Sequence, residues 1–147
     1  MAQIAPEIFK AYDIRGIVGK TLTEEAAYLI GRAFAARAAA QNIRTVAVGR
    51  DGRLSGPALS ENLIRGLIDS GMDVTDIGMV ATPMLYFAAV KECGGSGMMI
   101  TGSHNPPDYN GFKMMLGGET LAGEAIQELL ASIRQEQFPD GKGSVAV

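Results

Sequence analysis

The sequence predicts an α/β fold, a three-layer αβα sandwich whose mixed sheet is mostly parallel and carries an antiparallel hairpin at one edge. Two observations support this prediction. Short apolar runs alternate along the chain with segments whose apolar residues recur at helical spacing. This alternation is typical of βαβ units, which bury a parallel sheet between helices, and a final pair of strands with no helix between them predicts the hairpin.

The composition indicates one globular domain over residues 1–147. The chain has 47% hydrophobic residues, and its thirteen Lys and Arg against sixteen Asp and Glu give a net charge of −3. Such a chain has no overall electrostatic attraction for nucleic acid or anionic membranes. It has no apolar run near the roughly 18 residues of a membrane span, and its single cysteine, Cys93, cannot form an internal disulfide. We therefore expect a cytoplasmic protein with neither nucleic-acid nor membrane partners.

The beginning of the chain predicts a strand, a helix and a second strand. We expect the first strand over residues 8–14 and, after a glycine-containing turn, a helix over Glu24–Ala40. Thr21 could form a capping box with Glu24, and Thr23 is an equally good N-cap. A short strand is expected over residues 45–48.

The middle of the chain continues the alternation. Proline suits the first turn of a helix and glycine commonly follows its last turn, which sets the expected boundaries. The expected elements are a helix from Pro57 to Gly71, a strand over residues 74–80, a helix from Thr82 to about Lys91 and a strand over Gly97–Ile100.

The end of the chain predicts the hairpin and a last helix. A strand over residues 112–116 would return beside the strand over Gly97–Ile100, and residues 124–137 show apolar residues at helical spacing. Residues 139–147 lose this pattern and contain Pro and Gly, so they are expected to begin an interdomain linker.

Polar clusters follow four of the apolar strands directly, at residues 12–16, 49–56, 82–83 and 101–107. The loops at the carboxyl ends of parallel strands share one edge of the sheet, and ligands bind there. The pattern therefore predicts a common rim that carries Arg15, Arg50, Arg53 and Ser103. Three guanidinium groups on one edge of an acidic domain indicate an anionic ligand, for which phosphate is the best match.

The loop over residues 101–111 is the most informative segment, because it is longer than most hairpin loops and long loops often carry function. Gly102 can adopt backbone angles that are closed to other residues, and Pro106-Pro107 stiffens the chain that follows. Ser103 thus lies between a permissive residue and a rigid support, as a presented nucleophile should.

The residues after the serine carry further expectations. Asn110 and Gly111 predict the turn that starts the return strand, and Lys113 on that strand could point back toward Ser103. Neighbours in an extended segment point in opposite directions, so His104 has either a direct role or a role in bracing the loop by hydrogen bonds.

Plainer interpretations remain for the other polar residues. Arg50, Asp51 and Arg53 are more typical of a salt-bridged loop brace than of direct chemistry. Tyr12 is as compatible with packing as with lining a site.

Three segments together carry a family signature. They are FKAYDIRG at residues 9–16, VGRDGR at residues 48–53, and TGSHNP at residues 101–106 continuing to NGFK at residues 110–113. In order and spacing, over essentially the whole chain, they resemble the α-D-phosphohexomutase family, and within it the bacterial phosphomannomutases/phosphoglucomutases.

The resemblance implies an activity and a set of site residues. Ser103 corresponds to the serine that carries a phosphoryl group, passes it to a hexose 1-phosphate or 6-phosphate and regains one from the 1,6-bisphosphate. It implies Mg²⁺, bound by Ser103 through its phosphate group, and glucose 1,6-bisphosphate as intermediate and activator. Arg15 and Lys113 match positions near that phosphate, His104 matches the histidine after the serine, and Tyr12 matches a tyrosine of the substrate cleft.

The resemblance also implies missing parts. The chain has no Asp-x-Asp-x-Asp run, whereas the family holds Mg²⁺ with aspartates of a second domain and recognises the sugar and its phosphate on a third and a fourth. We therefore expect the chain to be domain 1 of four, inactive or nearly so alone, with hexose phosphates and the remaining mutase domains as partners.

Two other functions remain open. The arginine rim could serve a non-catalytic module that binds a phosphosugar or another anion. The absence of a Gly-x-Gly-x-x-Gly or Gly-Lys-[Ser/Thr] loop after a strand counts against a nucleotide. A purely structural domain is the third possibility, which the polar loops make less attractive.

Overall fold

The structure is a computed structural model. It describes residues 4–10, 13–80, 82–102, 106, 108–135, 138–139 and 141–146. Tyr12, Ser103 and His104 lie outside the described residues.

Within the described residues the chain forms strands and helices in alternation. The strands are β1 (Ile14–Ile17), β2 (Thr45–Arg50), β3 (Asp73–Met79), β4 (Gly97–Ile100), β5 (Tyr109–Leu116), β6 (Glu119–Thr120) and β7 (Val145–Ala146). The helices are α1 (Glu24–Ala40), α2 (Gly56–Asp69), α3 (Thr82–Glu92) and α4 (Glu124–Gln135), and a 3-10 helix covers Pro6–Ile8.

The strands form one mixed sheet in the order β1-β5-β4-β2-β3-β7, with β6 paired to β5. Strand β2 pairs in parallel with β3 and β4, and β3 pairs in parallel with β7. Strand β5 pairs antiparallel with β1, β4 and β6. The predicted α/β fold with a mixed sheet is confirmed. The antiparallel part lies at one end of the sheet, with β1 rather than the hairpin strand β5 as its outermost strand.

Helices cover both faces of this sheet. On one face, helices α1, α2 and α4 bury Phe34, Leu63 and Ile133 against sheet residues such as Val48 and Phe112. On the other face, α3 packs in a smaller cluster that includes Leu85, Ala89, Ala47, Met99 and Met115. Because side chains of a strand alternate between faces, residues of the regularly paired strands β1, β4 and β5 can be assigned to the α3 face or to the opposite one. In the part of the chain that the structure describes, none of the helices is both long and apolar enough to cross a membrane.

The prediction of a first strand over residues 8–14 is wrong. The chain instead forms the 3-10 helix with Pro6 at its first position. An isolated antiparallel bridge joins Phe9 to Ile14, and the Lys10 N–H donates to the Asp13 carbonyl at 2.9 Å. The chain therefore reverses direction inside the predicted strand, and Arg15 lies within β1 instead of in a loop after it.

The start of α1 agrees with one of the two proposed caps. Thr23 is the N-cap, and its hydroxyl accepts a hydrogen bond from the Ala26 N–H at 3.0 Å. Thr21 is used elsewhere, since its hydroxyl accepts from the Ile17 N–H at 2.9 Å. The α1 boundaries match the prediction, whereas α4 is described only to Gln135, because residues 136 and 137 lie outside the described set.

The tail is more structured than its composition indicates. Strand β7 pairs with β3, and the Gly143 N–H donates to the Ile68 carbonyl at 2.9 Å. The Asp73 carboxylate accepts from both the backbone N–H and the hydroxyl of Ser144, at 3.1 and 3.0 Å. Part of the predicted linker is therefore an edge strand. That residues 139–147 begin an interdomain linker stays a prediction.

We expect acid to detach this tail from β3. The hydrogen bond from the Ser144 hydroxyl, aided by Arg44, holds the pKa of the Asp73 carboxyl below its ordinary value. A carboxyl whose folded pKa is depressed contributes stability that is fully present above its unfolded pKa of about 3.9 and is lost as the pH falls through the folded value. The NMR signals of Ser144 and Val145 should therefore shift to detached positions below about pH 4.

Two variants control this test. Asp73→Asn should show the detached signals already at neutral pH. Asp108→Asn, a change at an exposed carboxyl, should leave the acid transition where it is. A tail whose signals do not respond to pH would contradict the role of Asp73.

Candidate active site

Asp51 connects the loop after β2 to the end of β4. Its Oδ2 atom accepts hydrogen bonds from the Thr101 hydroxyl at 2.9 Å and from the Gly102 N–H at 3.0 Å. Its Oδ1 atom accepts from the Arg53 N–H at 3.1 Å. The last described residues before position 103 are thus held by a carboxylate from a neighbouring strand end.

Arg53 holds the chain on the other side of position 103. Its Nη1 donates to the carbonyl oxygens of Pro106, at 2.6 Å, and Tyr109, at 3.1 Å. Its Nε lies 3.8 Å from Asp51 Oδ2, and the side chain is only 17% exposed. Gly102 leaves the room for this guanidinium, because an added Cβ would overlap its atoms. The Asp51–Arg53 pair therefore fixes both described flanks of residues 103–105.

Asn110 forms a second connection between the same two segments. Its side chain is fully buried, and its Nδ2 donates to the Ser55 hydroxyl at 2.8 Å, while its Oδ1 accepts from the Gly111 N–H at 2.9 Å. The prediction that Asn110 and Gly111 form a turn is wrong, since both lie inside β5. Gly111 is needed there for close approach, because an added Cβ would overlap the Ile14 carbonyl oxygen on β1.

The structure describes part of the predicted rim. Arg15 is opposite Gly111 on β5, and the Gly111 carbonyl accepts from the Thr101 N–H at 2.9 Å. The Asp51 N–H donates to the Ile100 carbonyl at 2.9 Å. Arg15, Gly111, Thr101 and Asp51 therefore lie in one row across β1, β5, β4 and β2.

Arg15 and Lys113 lie on the same face of the sheet. Ile14 and Phe112 are buried against α1, α2 and α4, so their neighbours Arg15 and Lys113 are on the α3 face. Lys113 is opposite Met99 on β4 and half-buried. The Arg15 side chain is 45% exposed and lies 3.7 Å from the Asp13 carboxylate. Because Arg15 pairs with Gly111, it is a diagonal neighbour of Lys113, and diagonal pairs are within reach of long side chains.

A cleft lies beside these residues. It has a volume of about 420 Å³, and its lining includes Lys10, Arg15, Pro106, Tyr109 and Glu7. The cleft borders both the chain reversal closed by the Phe9–Ile14 bridge and the residues Pro106 and Tyr109, whose carbonyl oxygens Arg53 binds. Lys10 was not predicted as a site residue, although it belongs to the FKAYDIRG segment at residues 9–16, which is the one signal that could have indicated it. With two cations against one carboxylate, the cleft suits an anionic ligand.

The loop-brace interpretation is confirmed for two of its three residues. Asp51 and Arg53 form the ion pair and the hydrogen bonds that it requires. Arg50 does not join them: its Nε is buried and, within the described residues, has no hydrogen-bond partner. Its stem packs close to Gly56, the first residue of α2.

Tyr12, Ser103 and His104 stay predictions, because they lie outside the described residues. The convergence of Ser103 with Arg15 and Lys113 is therefore also a prediction. Among the described ranges, no three His, Cys, Asp or Glu side chains come together in a way that could hold a metal ion. The described residues by themselves do not form a magnesium site.

Comparison with known proteins identifies the family. A family model described as phosphoglucomutase/phosphomannomutase, alpha/beta/alpha domain I, matches residues 6–140. The chain belongs to this family. This domain I is 75% identical over 138 residues to a phosphoglucomutase of Neisseria meningitidis. The match covers 94% of this chain and 30% of the relative. It is 59% identical over 138 residues to a phosphomannomutase/phosphoglucomutase of Pseudomonas aeruginosa, with the same coverage of 94% and 30%.

A solved structure agrees with these matches. A phosphoglucomutase/phosphomannomutase family protein from Burkholderia thailandensis superposes with a TM-score of 0.93 at 51% identity, covering 98% of this chain and 33% of that one. This domain I thus spans about a third of the length of the relatives that it matches. Those relatives contain further domains.

Proposed function

We propose that this domain I is the phosphoserine domain of a cytoplasmic hexose-phosphate mutase, in which Ser103 carries the transferred phosphoryl group. The enzyme would interconvert hexose 1-phosphates and 6-phosphates of glucose or mannose through a bound 1,6-bisphosphate, with glucose 1,6-bisphosphate as intermediate and activator. The observation that carries the proposal is the Asp51–Arg53 pair, which holds both flanks of residues 103–105 beside a cleft with two cations. The names of the relatives support the substrate class.

The proposed step is a phosphoryl transfer between two oxygens. The bond from phosphorus to Ser103 Oγ breaks as a bond to a sugar hydroxyl oxygen forms, the hydroxyl gives up its proton, and Ser103 Oγ regains one. Because such transition states are largely dissociative, catalysis consists of positioning and of charge stabilisation around the moving group.

The residues of this chain would supply both contributions. A phosphoserine carries about −1.5 to −2 charges at neutral pH, and Arg15 and Lys113, on one face of the sheet, would offset part of that charge. The Asp51–Arg53 pair would hold the serine segment in place. Tyr12 would line the substrate cleft, and His104 would act at the serine or brace its loop.

Other domains would supply the rest. Mg²⁺, when bound, would neutralise charge on the phosphoserine, and its carboxylate ligands are expected outside this chain because the sequence has no Asp-x-Asp-x-Asp run. This domain I is accordingly expected to be inactive, or nearly so, when isolated.

The test joins this chain to the domains that it lacks. We replace domain I of the N. meningitidis phosphoglucomutase with this chain, which is 75% identical to it, and measure conversion of glucose 1-phosphate to glucose 6-phosphate. The fused enzyme should be active, and the isolated chain at least about 1,000-fold slower, since positioning and charge stabilisation come from several domains. Comparable turnover by the isolated chain, or a folded but inactive fusion, would contradict the proposal.

A non-catalytic module that binds phosphosugars or other anions is the second candidate, because the cationic cleft fits it equally well. Intact-mass measurement of protein purified from cells separates the two. A mass increase of one phosphoryl group that is absent from Ser103→Ala favours the mutase. An unmodified protein that nevertheless binds phosphosugars tightly favours the module.

A further inference from the structure

Lys10 is a cation of the candidate active-site cleft that the proposed mechanism does not use. It is exposed and lines the cleft of about 420 Å³ together with Arg15 and Glu7. The charge of Arg15 is partly offset by the Asp13 carboxylate, 3.7 Å away. Within the described residues, no carboxylate is in ion-pair contact with Lys10, Glu7 included. The ammonium group of Lys10 is therefore a charge that a ligand in this cleft can neutralise.

The backbone at Lys10 is held in place although its side chain is exposed. The preceding residue, Phe9, is buried, and its carbonyl accepts a hydrogen bond from Gln127 Nε2 at 3.1 Å. Phe9 is also bridged to Ile14, and the Lys10 N–H donates to the Asp13 carbonyl at 2.9 Å. Lys10 thus extends from a fixed position on the outer side of β1.

Lys10 lies on the face of the sheet that carries Arg15 and Lys113. Its neighbour Phe9 belongs to the core beneath α1, α2 and α4, so Lys10 itself points away from that core. Lys10 and Arg15 line the same cleft, and Arg15 is a diagonal neighbour of Lys113 on the α3 face. The three cations therefore share one face.

Arg15 lies between the other two cations. Lys113 is on β5 and Arg15 is on the adjacent strand β1. Lys10 is on the other side of β1, where its N–H meets the Asp13 carbonyl. Because neighbouring strands lie roughly 5 Å apart, the backbones of Lys10 and Lys113 are separated by about 10 Å. A hexose 1,6-bisphosphate carries its two phosphates at opposite ends of the sugar. The face therefore offers one cation for each end, with Arg15 between them.

We infer that Lys10 binds the phosphate group that is not being transferred, while Arg15 and Lys113 serve the phosphate at Ser103. When a hexose 1-phosphate is the acceptor, this group is the phosphate at C1, and after the transfer it is the second phosphate of the bisphosphate. Charge-assisted hydrogen bonds from an ammonium group to phosphate oxygens are about twice as strong as neutral ones. Lys10 therefore holds substrate and intermediate on this domain. The inference rests on the proposed function and adds a substrate-binding residue to it.

Single-turnover transfer from the phosphorylated fusion tests the inference. In the fusion with the remaining N. meningitidis domains, Lys10→Met should lower the second-order rate constant of transfer to glucose 1-phosphate at least about tenfold, because a charge-assisted hydrogen bond is lost. Transfer to glucose, which has no phosphate to bind, should change by less than about twofold. Lys10→Arg keeps the charge and should restore most of the rate. Lys142→Met, at an exposed position of the tail, should match the parent with both acceptors.

Three results would overturn the inference. Equal losses with both acceptors, or a loss of Ser103 phosphorylation, would assign Lys10 to the transferred phosphoryl group. No loss with either acceptor would leave Lys10 without a role in binding.

A binding measurement separates this inference from the proposed function. If the fusion does not fold, or carries no phosphoryl group, glucose 1,6-bisphosphate is titrated into the isolated chain and followed by NMR. Lys10→Met should then bind it at least about fivefold more weakly than the parent. Equal affinities, or no binding by the parent, would overturn the inference, whereas a folded fusion without a phosphoryl group counts against the proposed function.

Discussion

Replacing Ser103 with alanine in the fused mutase should reduce turnover of glucose 1-phosphate by at least about 1,000-fold, because it removes the oxygen that accepts and donates the phosphoryl group. The variant protein should also lose its covalent phosphoryl group. Steady-state kinetics and intact mass measure the two effects on the same preparation.

The matched control for this experiment is Ser132→Ala, a change of the same kind on α4, which packs on the face of the sheet opposite α3. It should keep both turnover and phosphorylation. Thermal unfolding of Ser103→Ala should match that of the parent, so that the loss is chemical and not structural. Turnover of Ser103→Ala within a few-fold of the parent would remove the phosphoserine assignment while leaving the fold as it is.

Replacing Asp51 with alanine should destabilise the isolated chain by about 2–3 kcal/mol and lower phosphorylation of Ser103 in the fusion. The change removes the carboxylate that accepts from Thr101, Gly102 and the Arg53 backbone. It also removes the counter-charge of a mostly buried guanidinium. Denaturant unfolding measures the first effect and intact mass the second.

Two comparisons isolate the role of the carboxylate. Asp51→Asn keeps one carbonyl acceptor but loses the charge, so its destabilisation should be intermediate. Asp108→Ala removes an exposed carboxyl and should change stability by less than about 0.5 kcal/mol. If Asp51→Ala unfolds at the same denaturant concentration as the parent, the pair does not hold the serine segment.

Local sequence patterns were sufficient to predict most of the helices and the mixed, mostly parallel type of the sheet. The apolar spacing of α1 and the glycine and proline at the boundaries of α2 appear within a few residues of the elements that they define. The polar clusters after β2 and β4 could also be found in the sequence, because turn residues and strand patterns are recognised from neighbouring residues alone. Lys10 belongs to the FKAYDIRG segment, yet nothing in its neighbouring sequence indicated that the chain folds back at that point.

The two sequence predictions that the structure contradicts, the first strand and the Asn110–Gly111 turn, share one cause. The first strand was misplaced because the reversal between Phe9 and Ile14 depends on both being buried beneath the same helices. Asn110 and Gly111 have the composition of a turn, but tertiary contacts with Ser55 and with β1 hold them in a strand. Such contacts join residues far apart in the chain, so tertiary packing overrode the local preference.

The sequence by itself determined the alternation of strands and helices, the family and the candidate serine, because each of these depends on residue types at short spacing. Only the tertiary structure decided the order of the strands, the row that joins Arg15 to Asp51, and the packing of α3 on the face opposite the other helices. The physical reason is that pairing, burial and exposure depend on which distant segments meet, and the free energy of those contacts is not a property of any one segment.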